Sequence, residues 1–340
     1  MRPAFRIIAD RVDVTKAIKD RLLALTVIDV AGVESDEVKL TLDDRRREDG
    51  AVAELPRIGA RLEVALGYAE TALVMMGSYI VDEVEISSPP ATLSVSAKAA
   101  DMSGPVRSPK TRSWDSLTLG DIVTTIAREH RLAPAVDPNL AAIPIDHLDQ
   151  TAESDMAFLT RLASLYDAVS KPANGHWVFA RRGQAKSATG KNLPIIRLQP
   201  QDLIEWRYRH SARRPGGSGK SQTKANAAPV AASGVKAYYW DFDAGERKEV
   251  TIGKPPYSEV RHVHTSKDKA LAAAKAALTT GDRQQGEFSL TLPGDPRLVA
   301  EVRIEIDLRP GIPTVWIVDR AEHHFHPQGY TTQLDCIRAS

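Results

Sequence analysis

The sequence predicts a mainly β fold that contains a small α+β insert, and three successive regions of the chain support this class. Apolar and polar residues alternate in residues 1–104, which is typical of strands with one buried face. Helical spacing occurs in residues 105–194, and alternation returns in residues 195–340. We therefore predict two strand domains that flank the insert.

Strands in the first domain are predicted over residues 38–43, 62–66 and 93–97. Each run places apolar side chains at every second position, so that one side of the strand faces a core. The segment 50–59 and Pro89-Pro90 supply turns between the runs. A sandwich or a closed barrel is the simplest architecture for such strands.

The insert begins with a short predicted helix. Thr118 and Asp121 have the spacing of a capping pair, and the apolar stripe that follows from Ile122 stops before Pro134. This stripe predicts one buried helix face.

A longer helix is predicted from Thr151 to Val169. Thr151 is the expected N-cap, and Glu153 and Asp155 place negative charge in the first turn, where the helix dipole favours it. Apolar residues from Phe158 onward recur at spacings of three and four, which predicts a broad buried face.

A hairpin is predicted directly after this helix. Asn174-Gly175 separates Ala168-Val169 from the apolar residues 177–179, and Asn-Gly supplies the positive φ angles of a tight turn. The predicted order of the unit is helix, strand, turn, strand.

The third domain contains two predicted strands and one helix. Residues 288–292 and 301–308 alternate between apolar and polar, and the second run is the most regular in the chain. Ser266 is the expected cap of an alanine-rich helix that ends at Gly281. Its narrow apolar stripe indicates a helix that lies across a sheet.

Several segments, taken in order, resemble one protein family. They lie at residues 3–7, 22–30, 35–36, 38–43, 59, 62–68, 77–84, 150–169, 316–324 and 329–332. This ordered set is similar to the late control protein D family, the baseplate hub proteins of contractile phage tails. That family is related to the hub portion of type VI secretion spike proteins.

The resemblance implies both a fold and an assembly. Each strand domain would be a tail-tube-like β-barrel, and three copies would form a ring of six similar units. The ring would stack against the sixfold tail tube and meet the threefold central spike, with baseplate wedge or tape measure proteins as further partners. We therefore expect a homotrimeric structural protein of the virion that is assembled in the host bacterial cytoplasm.

Charge and cysteine content narrow the function classes. Lys plus Arg number 45 and Asp plus Glu 44, so no overall field steers the chain to nucleic acid or to an anionic membrane. The single cysteine, Cys336, excludes an internal disulfide framework and a cysteine-rich zinc site. Asp10 and Arg11 interrupt any signal-peptide-like core, so we expect a soluble cytosolic chain without a cofactor.

Histidines form two candidate metal-binding groups. His262 and His264 lie two residues apart, as do His324 and His326, so each pair would face one side of a strand; His323 adjoins the second pair. A metal-dependent hydrolase that uses these groups is one alternative function. We prefer strand histidines without a metal, because no HExxH pair and no cysteine ligand accompanies them.

A basic segment flanked by aromatic residues is the second candidate site. Residues 206–240 carry seven Arg or Lys residues and no acidic residue, a composition that suits single-stranded nucleic acid. The centre of the segment has the Gly- and Ser-rich composition of a linker. We therefore predict a flexible basic loop over residues 211–234 and no specific nucleic-acid partner.

Catalytic motifs are sparse. The sequence has no GxSxG nucleophile elbow, and Asp146, His147 and Asp149 are interpreted as a solvated loop. We predict a protein without enzymatic activity. The apolar side of a strand suits a barrel core and a partner surface equally, so no interface residue is assigned.

Overall fold

The computed structural model describes residues 1–31, 35–46, 50, 52–99, 106, 108–173, 175–183, 193–210, 234–283 and 286–339. Strands dominate these residues and helices are few, so the predicted fold class is confirmed. The segment predicted as a flexible basic loop, apart from Gly234, lies outside the described residues, as does Asn174 of the predicted hairpin turn.

Antiparallel strands make up the first region, because alternate apolar side chains of each strand turn to one core. Its elements are β1 (Pro3–Ala9), β2 (Val12–Asp13), α1 (Thr15–Lys19), β3 (Leu22–Val30), β4 (Glu37–Asp43), β5 (Arg61–Tyr68), β6 (Val74–Ser87) and β7 (Thr92–Lys98). The strands predicted over residues 38–43, 62–66 and 93–97 are thereby confirmed.

Helices and strands mix in the second region, as predicted. Its elements are β8 (Pro109–Thr118), α2 (Leu119–Glu129), β9 (Ala133–Val136), α3 (Pro138–Ala141), β10 (Pro144–Ser154), α4 (Asp155–Leu165), β11 (Ala168–Ala173) and β12 (His176–Arg181). Thr118 and Asp121 form a reciprocal capping box at the start of α2, which confirms that prediction. Gly175, at φ 78°, lies between the paired strands β11 and β12.

Strands return in the third region, together with one long helix. Its elements are β13 (Ile195–Arg197), β14 (Glu205–His210), β15 (Gly234–Asp241), β16 (Glu246–Gly253), β17 (Tyr257–His264), α5 (Lys267–Arg283), β18 (Gly286–Pro293), β19 (Arg303–Glu305), β20 (Val315–His326) and β21 (Gly329–Arg338). Helix α5 lies across the sheet β16-β15-β17, as its narrow stripe predicted.

One continuous sheet joins the first and third regions. Its order is β14-β18-β21-β20-β3-β4-β7-β6-β5-β1-β2, and β13 and β19 branch from β20. The connection lies at β20, which pairs with β21 on one side and with β3 on the other. The sheet curls so that Phe5 on β1 meets Phe325 on β20, with ring centroids 5.1 Å apart. The first region is therefore barrel-like and not a two-sheet sandwich.

The predicted start of the longer insert helix is wrong. Helix α4 begins at Asp155, and its N-cap is Ser154, whose side chain accepts a hydrogen bond from the Ala157 amide. Thr151 lies in β10, at an irregularity between Gln150 and Glu153, because pairing with β8 resumes at Glu153 and Ser154. The helix also ends earlier than predicted, at Leu165, so that Val169 lies in β11.

Two predictions in the third region need smaller corrections. Only Arg303–Glu305 of the 301–308 run is a strand, although Val302, Ile304 and Ile306 are buried as the alternation predicted. Only residues 303–305 pair with β20, so the strand is three residues long. Helix α5 continues past Gly281 to Arg283.

Candidate functional site

The β20–β21 hairpin contributes to two hydrophobic cores at once. Trp316 and Val318 pack in the core of the third region, whereas Phe325 and Tyr330, farther along the hairpin, pack in the core of the first region. Because one rigid pair of strands carries both sets of side chains, the two strand cores hold a fixed relation to each other.

Gly294 allows a close approach at this connection. A Cβ atom at position 294 would lie 2.1 Å from the ring of Tyr330, so only glycine fits there without a shift of the ring. The Tyr68 hydroxyl donates a hydrogen bond to the Gly294 carbonyl at 2.8 Å. The end of β5 is thereby tied to the segment that follows β18.

The insert has a hydrophobic core of its own, formed by buried residues between Val106 and Phe179. A lysine of β11 whose side chain is only 11% exposed connects it to the first barrel. The Lys171 ammonium donates to the Asp29 carboxylate at 3.0 Å, to the Asp36 carboxylate at 2.8 Å and to the Val30 carbonyl at 2.6 Å. Asp29 also accepts from the Ala300 amide at 3.0 Å. Lys171 thus joins the insert to the first region, and Asp29 extends the connection to Ala300 of the third region.

The protonation of this junction follows from its burial. Burial and the neighbouring Asp29 carboxylate raise the pKa of Asp36 to about 7. Burial also opposes ionisation of Asp29, but the charge of Lys171 outweighs it and lowers the pKa of that carboxyl. Burial disfavours the charged lysine, and the two carboxylates overcome this and raise the pKa of Lys171. Near neutral pH, Lys171 and Asp29 are charged and Asp36 is poised to release a proton.

A second polar connection lies at the end of β12. The Arg182 guanidinium forms an ion pair with Asp319 of β20 and donates to the Ala31 carbonyl at 3.2 Å. The Gly183 amide donates to the Glu301 carboxylate at 2.6 Å, and its carbonyl accepts from Arg303 at 3.1 Å. At both of these places, the β11–β12 hairpin and the residues that follow it are joined to the barrels by polar contacts.

Sequence reasoning did not single out the residues of these junctions. A signal was present, because Lys171 interrupts a strand whose other side chains are small or apolar. Asp29 similarly lies near the end of β3, where it is the only charged residue of a mostly apolar strand. A charge inside a buried strand requires a partner, although its identity is not visible in sequence.

Inside the insert, Asp155 is the centre of a buried ionic network that the sequence also did not predict. Its carboxylate accepts from Lys110 at 2.6 Å, from Arg112 at 2.7 Å and from His130 at 2.7 Å. Glu129 binds the same two cations. Burial opposes ionisation of Asp155, but hydrogen bonds from Gln150, Lys110 and His130 lower its pKa.

Glu129, His130 and Asp155 are the one group of three potential metal ligands found among the described residues. Lys110 and Arg112 already supply positive charge to both carboxylates at 2.6–2.8 Å. The arrangement is therefore a self-contained structural network that holds the start of α4 against β8.

The side chains of His323, His324 and His326 contact different partners and do not surround one possible metal site. His323 is buried; its Nε2 donates to the Leu298 carbonyl at 3.0 Å, and its Nδ1 lies 2.9 Å from the Tyr330 hydroxyl. Burial lowers the pKa of His323 to about 4. His324 contacts Thr26 and Glu322, and His326 contacts the Leu23 carbonyl. These three side chains serve strand packing.

The first histidine pair is brought together by the fold. His262 and His264 face the same side of β17, with ring centroids 4.9 Å apart. His264 is buried, and its Nε2 has no hydrogen-bonding partner within the described part of the chain.

His147 and its acidic neighbours lie on paired strands and not on the predicted loop. The His147 ring contacts Asp115 at 2.6 Å and Asp149 at 3.2 Å, on the exposed β8–β10 ribbon. Hydrogen bonds to Asp115 and then Asp149 raise the pKa of His147. Both ring nitrogens are engaged, which does not match a general base.

Aromatic residues that flank the basic segment are described. Trp206 and Tyr208 lie on β14, at one edge of the large sheet, and Tyr238, Tyr239 and Trp240 lie on β15 of the separate sheet. The two sets therefore belong to different sheets. None of the helices in the described ranges is long and apolar enough to span a membrane.

Solved structures define the class of protein to which this fold belongs. The 43 kDa tail protein of prophage MuSo2 from Shewanella oneidensis is similar over 99% of this chain and 98% of its own, with a TM-score of 0.73 and 14% identity. The E. coli c3393 protein, described as a component of the type VI secretion system, is similar over 94% of this chain and 74% of its own, with a TM-score of 0.55 and 11% identity. The fold is that of tail and spike hub proteins, with two tail-tube-like barrels.

Sequence comparison identifies the family. The sequence model of the phage tail baseplate hub (GPD) family matches residues 35–329. The probable baseplate hub protein of Escherichia phage 186 is 31% identical, over 98% of this chain and 92% of that protein. This chain belongs to the phage tail baseplate hub (GPD) family, which confirms the resemblance found in the sequence.

Proposed function

We propose that three copies of this chain form the hub ring of a contractile-tail baseplate, which joins the sixfold tail tube to the threefold spike. Family membership supports the hub role. The observation that carries the assembly is the pair of strand cores in each chain, connected through one hairpin. Three chains would then present six barrel units in a closed ring.

The ring requires that the two barrels of each chain keep one orientation. Phe325 and Tyr330 supply this coupling, since they fill the first core from strands that also line the second. A flexible linker between the barrels would leave the six units unevenly spaced. The shared hairpin supports a pseudo-sixfold surface.

The proposed partners follow from the two faces of such a ring. One face would contact the tail tube or an adjacent tube-like ring, and the other would contact the central spike protein, with wedge or tape measure proteins further out. Function would then rest on extended surfaces, with more than about 1,000 Å² buried per stable contact. We propose a structural protein of the virion without catalytic activity, assembled in the host cytoplasm.

Native mass spectrometry tests the stoichiometry. The chain alone, or mixed with the spike protein of the same tail, should give a complex that contains three times the 37.1 kDa chain mass. A monomer that persists with the spike present, at concentrations well above those in the cell, would contradict the proposal. A dimer would contradict it because a twofold assembly does not match a threefold partner, and a hexamer would contradict it because six chains would present twelve barrel units.

A further inference from the structure

A large cavity lies between the insert and the helix-covered sheet, and no part of the proposed hub function uses it. Its volume is about 1120 Å³. Leu162 and Leu165 of α4 form part of one wall, and Ala273 and Ala277 of α5 form part of another. Strand β17 lines the space between them with side chains that include His262 and His264.

The two histidines have the spacing of a chelating pair. Imidazoles that bind one ion at about 2.0–2.1 Å, with a nitrogen–metal–nitrogen angle near tetrahedral or square, have ring centroids about 4.5–5.2 Å apart. The observed separation of 4.9 Å lies within this range, and the rings are inclined at 81°. Alternate residues of a strand share one face, so the strand backbone places the two imidazole rings next to each other.

The buried member of the pair has an unsatisfied nitrogen. The Nε2 atom of His264 is buried without a hydrogen-bonding partner in the described ranges, and 5% of the residue is exposed. His262 is exposed and leaves the pair accessible from solvent. Buried polar atoms normally have partners, and this unpaired nitrogen belongs to a residue that lines the cavity, so a ligand bound there would satisfy it.

We propose that His262 and His264 bind a divalent transition-metal ion at the edge of this cavity. Imidazole pairs suit Zn²⁺, Ni²⁺ and Cu²⁺ and do not suit Mg²⁺ or Ca²⁺, which require oxygen ligands. No third His, Cys, Asp or Glu of the described chain completes a cluster with the pair. The remaining coordination positions are therefore open to water or to a carboxylate from outside.

Surrounding charge sets the strength of this site. Lys269 lies near enough to His264 to act on it electrostatically, and only a neutral imidazole can bind a metal. Lys269 also repels a cation. The proposed site is therefore weaker than a structural zinc centre, and Lys269 would favour an acidic group as the third ligand.

Metal titration of the full chain, purified without a histidine tag, tests the proposal. Calorimetry with Zn²⁺ and Ni²⁺ should give one ion per chain, and His262→Gln and His264→Gln should each weaken binding by about tenfold or more. Lys269→Gln should tighten binding. His326→Gln is the matched control, because His326 is also an exposed strand histidine, and it should leave the affinity unchanged.

A spectroscopic measurement avoids any effect of the substitutions on folding. The electron paramagnetic resonance spectrum of the wild-type chain with one equivalent of Cu²⁺ should show coupling to two imidazole nitrogens. Equal binding by wild type and the His262→Gln/His264→Gln variant would overturn the proposal. So would a Cu²⁺ spectrum without nitrogen coupling, or no measurable Zn²⁺ binding.

Discussion

Buried ionisable residues connect the insert to the barrels. Lys171 is surrounded by Asp29 and Asp36, and each of these carboxylates also binds backbone amides. Buried charges are stable only when they are paired, so the insert keeps its position as long as the cluster keeps its protonation state. The stability of this junction should therefore depend on pH and on the positive charge of Lys171.

Asp36 should make stability depend on pH around neutrality. Its pKa is raised from 3.8 to about 7, so its contribution to folding is complete below pH 3.8 and is lost as pH rises through about 7. Urea unfolding between about pH 5 and pH 8 should show wild-type stability falling more steeply than that of Asp36→Asn. Asp146→Asn, an exposed carboxylate, should keep the wild-type slope. Identical slopes for all three proteins would contradict this assignment.

Replacement of Lys171 should lower the free energy of unfolding more than replacement of Asp29 or Asp36. Lys171→Met leaves two largely buried carboxyl groups without a cation, and we expect a loss of about 2–4 kcal/mol in the free energy of unfolding, somewhat below that for a fully buried pair. Urea unfolding at pH 7 measures this loss. Lys16→Met removes an exposed lysine and should change stability little. Combining Lys171→Met with Asp29→Asn and Asp36→Asn should recover part of the loss, because no buried charge then remains unpaired.

Close packing at element ends fixes how the strands of the two barrels meet. Gly294 lies so close to the ring of Tyr330, a residue of β21, that no side chain fits at position 294 without a shift of the ring. Substitution there tests the packing of the elements without removing a charge or a hydrogen bond.

Gly294→Ala should destabilise the chain by about 1–3 kcal/mol, since the added methyl group meets the Tyr330 ring. The change in melting temperature measures the effect. Gly329→Ala is the control, because nothing lies within 4 Å of its added Cβ atom. A similar shift for both variants would show that overlap with Tyr330 is not the cause.

The capping box of α2 is a second test at this scale. Thr118 accepts from the Asp121 amide at 3.1 Å, and Asp121 accepts from the Thr118 amide at 3.0 Å. Thr118→Ala should lower the free energy of unfolding by about 1 kcal/mol, and Thr118→Ser should retain most of it. Equal stability of the two variants in urea unfolding would contradict the capping role.

At the scale of the whole molecule, the three regions differ in whether each one contains all the residues of its own hydrophobic core. The buried residues of the insert core lie between Val106 and Phe179, whereas the core of the first region requires Phe325 and Tyr330 from the end of the chain. Strand β3 is also paired with β20. The position of a residue along the chain therefore does not decide which hydrophobic core it belongs to.

Fragments should reveal this difference. A fragment of residues 105–194 should unfold cooperatively on heating, as measured by circular dichroism, because its hydrophobic core is complete. A fragment of residues 1–104 should lack a cooperative transition, because β3 has lost a partner and the core has lost two aromatic rings. A cooperative transition in the second fragment would contradict the shared-core description.

Local patterns allowed much of the fold to be predicted, and long-range contacts limited the rest. Alternation identified β4, β5 and β7, and the Thr118 cap identified α2, because these signals depend on neighbouring residues. The start of α4 was misplaced, since the residues on either side of Thr151, Gln150 and Glu153, pair with β8 and keep this stretch in β10. Lys171 and Asp29 are 142 positions apart, a separation that no local pattern reveals.

The hairpin of β20 and β21 also has a consequence for synthesis. The ribosome produces residues 315–338 long after the strands of the first barrel, yet Phe325 and Tyr330 are needed to fill that barrel. A chain that is released early would keep an unpaired β3 and an incomplete core. Only a polypeptide synthesised at least as far as the β20–β21 hairpin could therefore complete the first barrel.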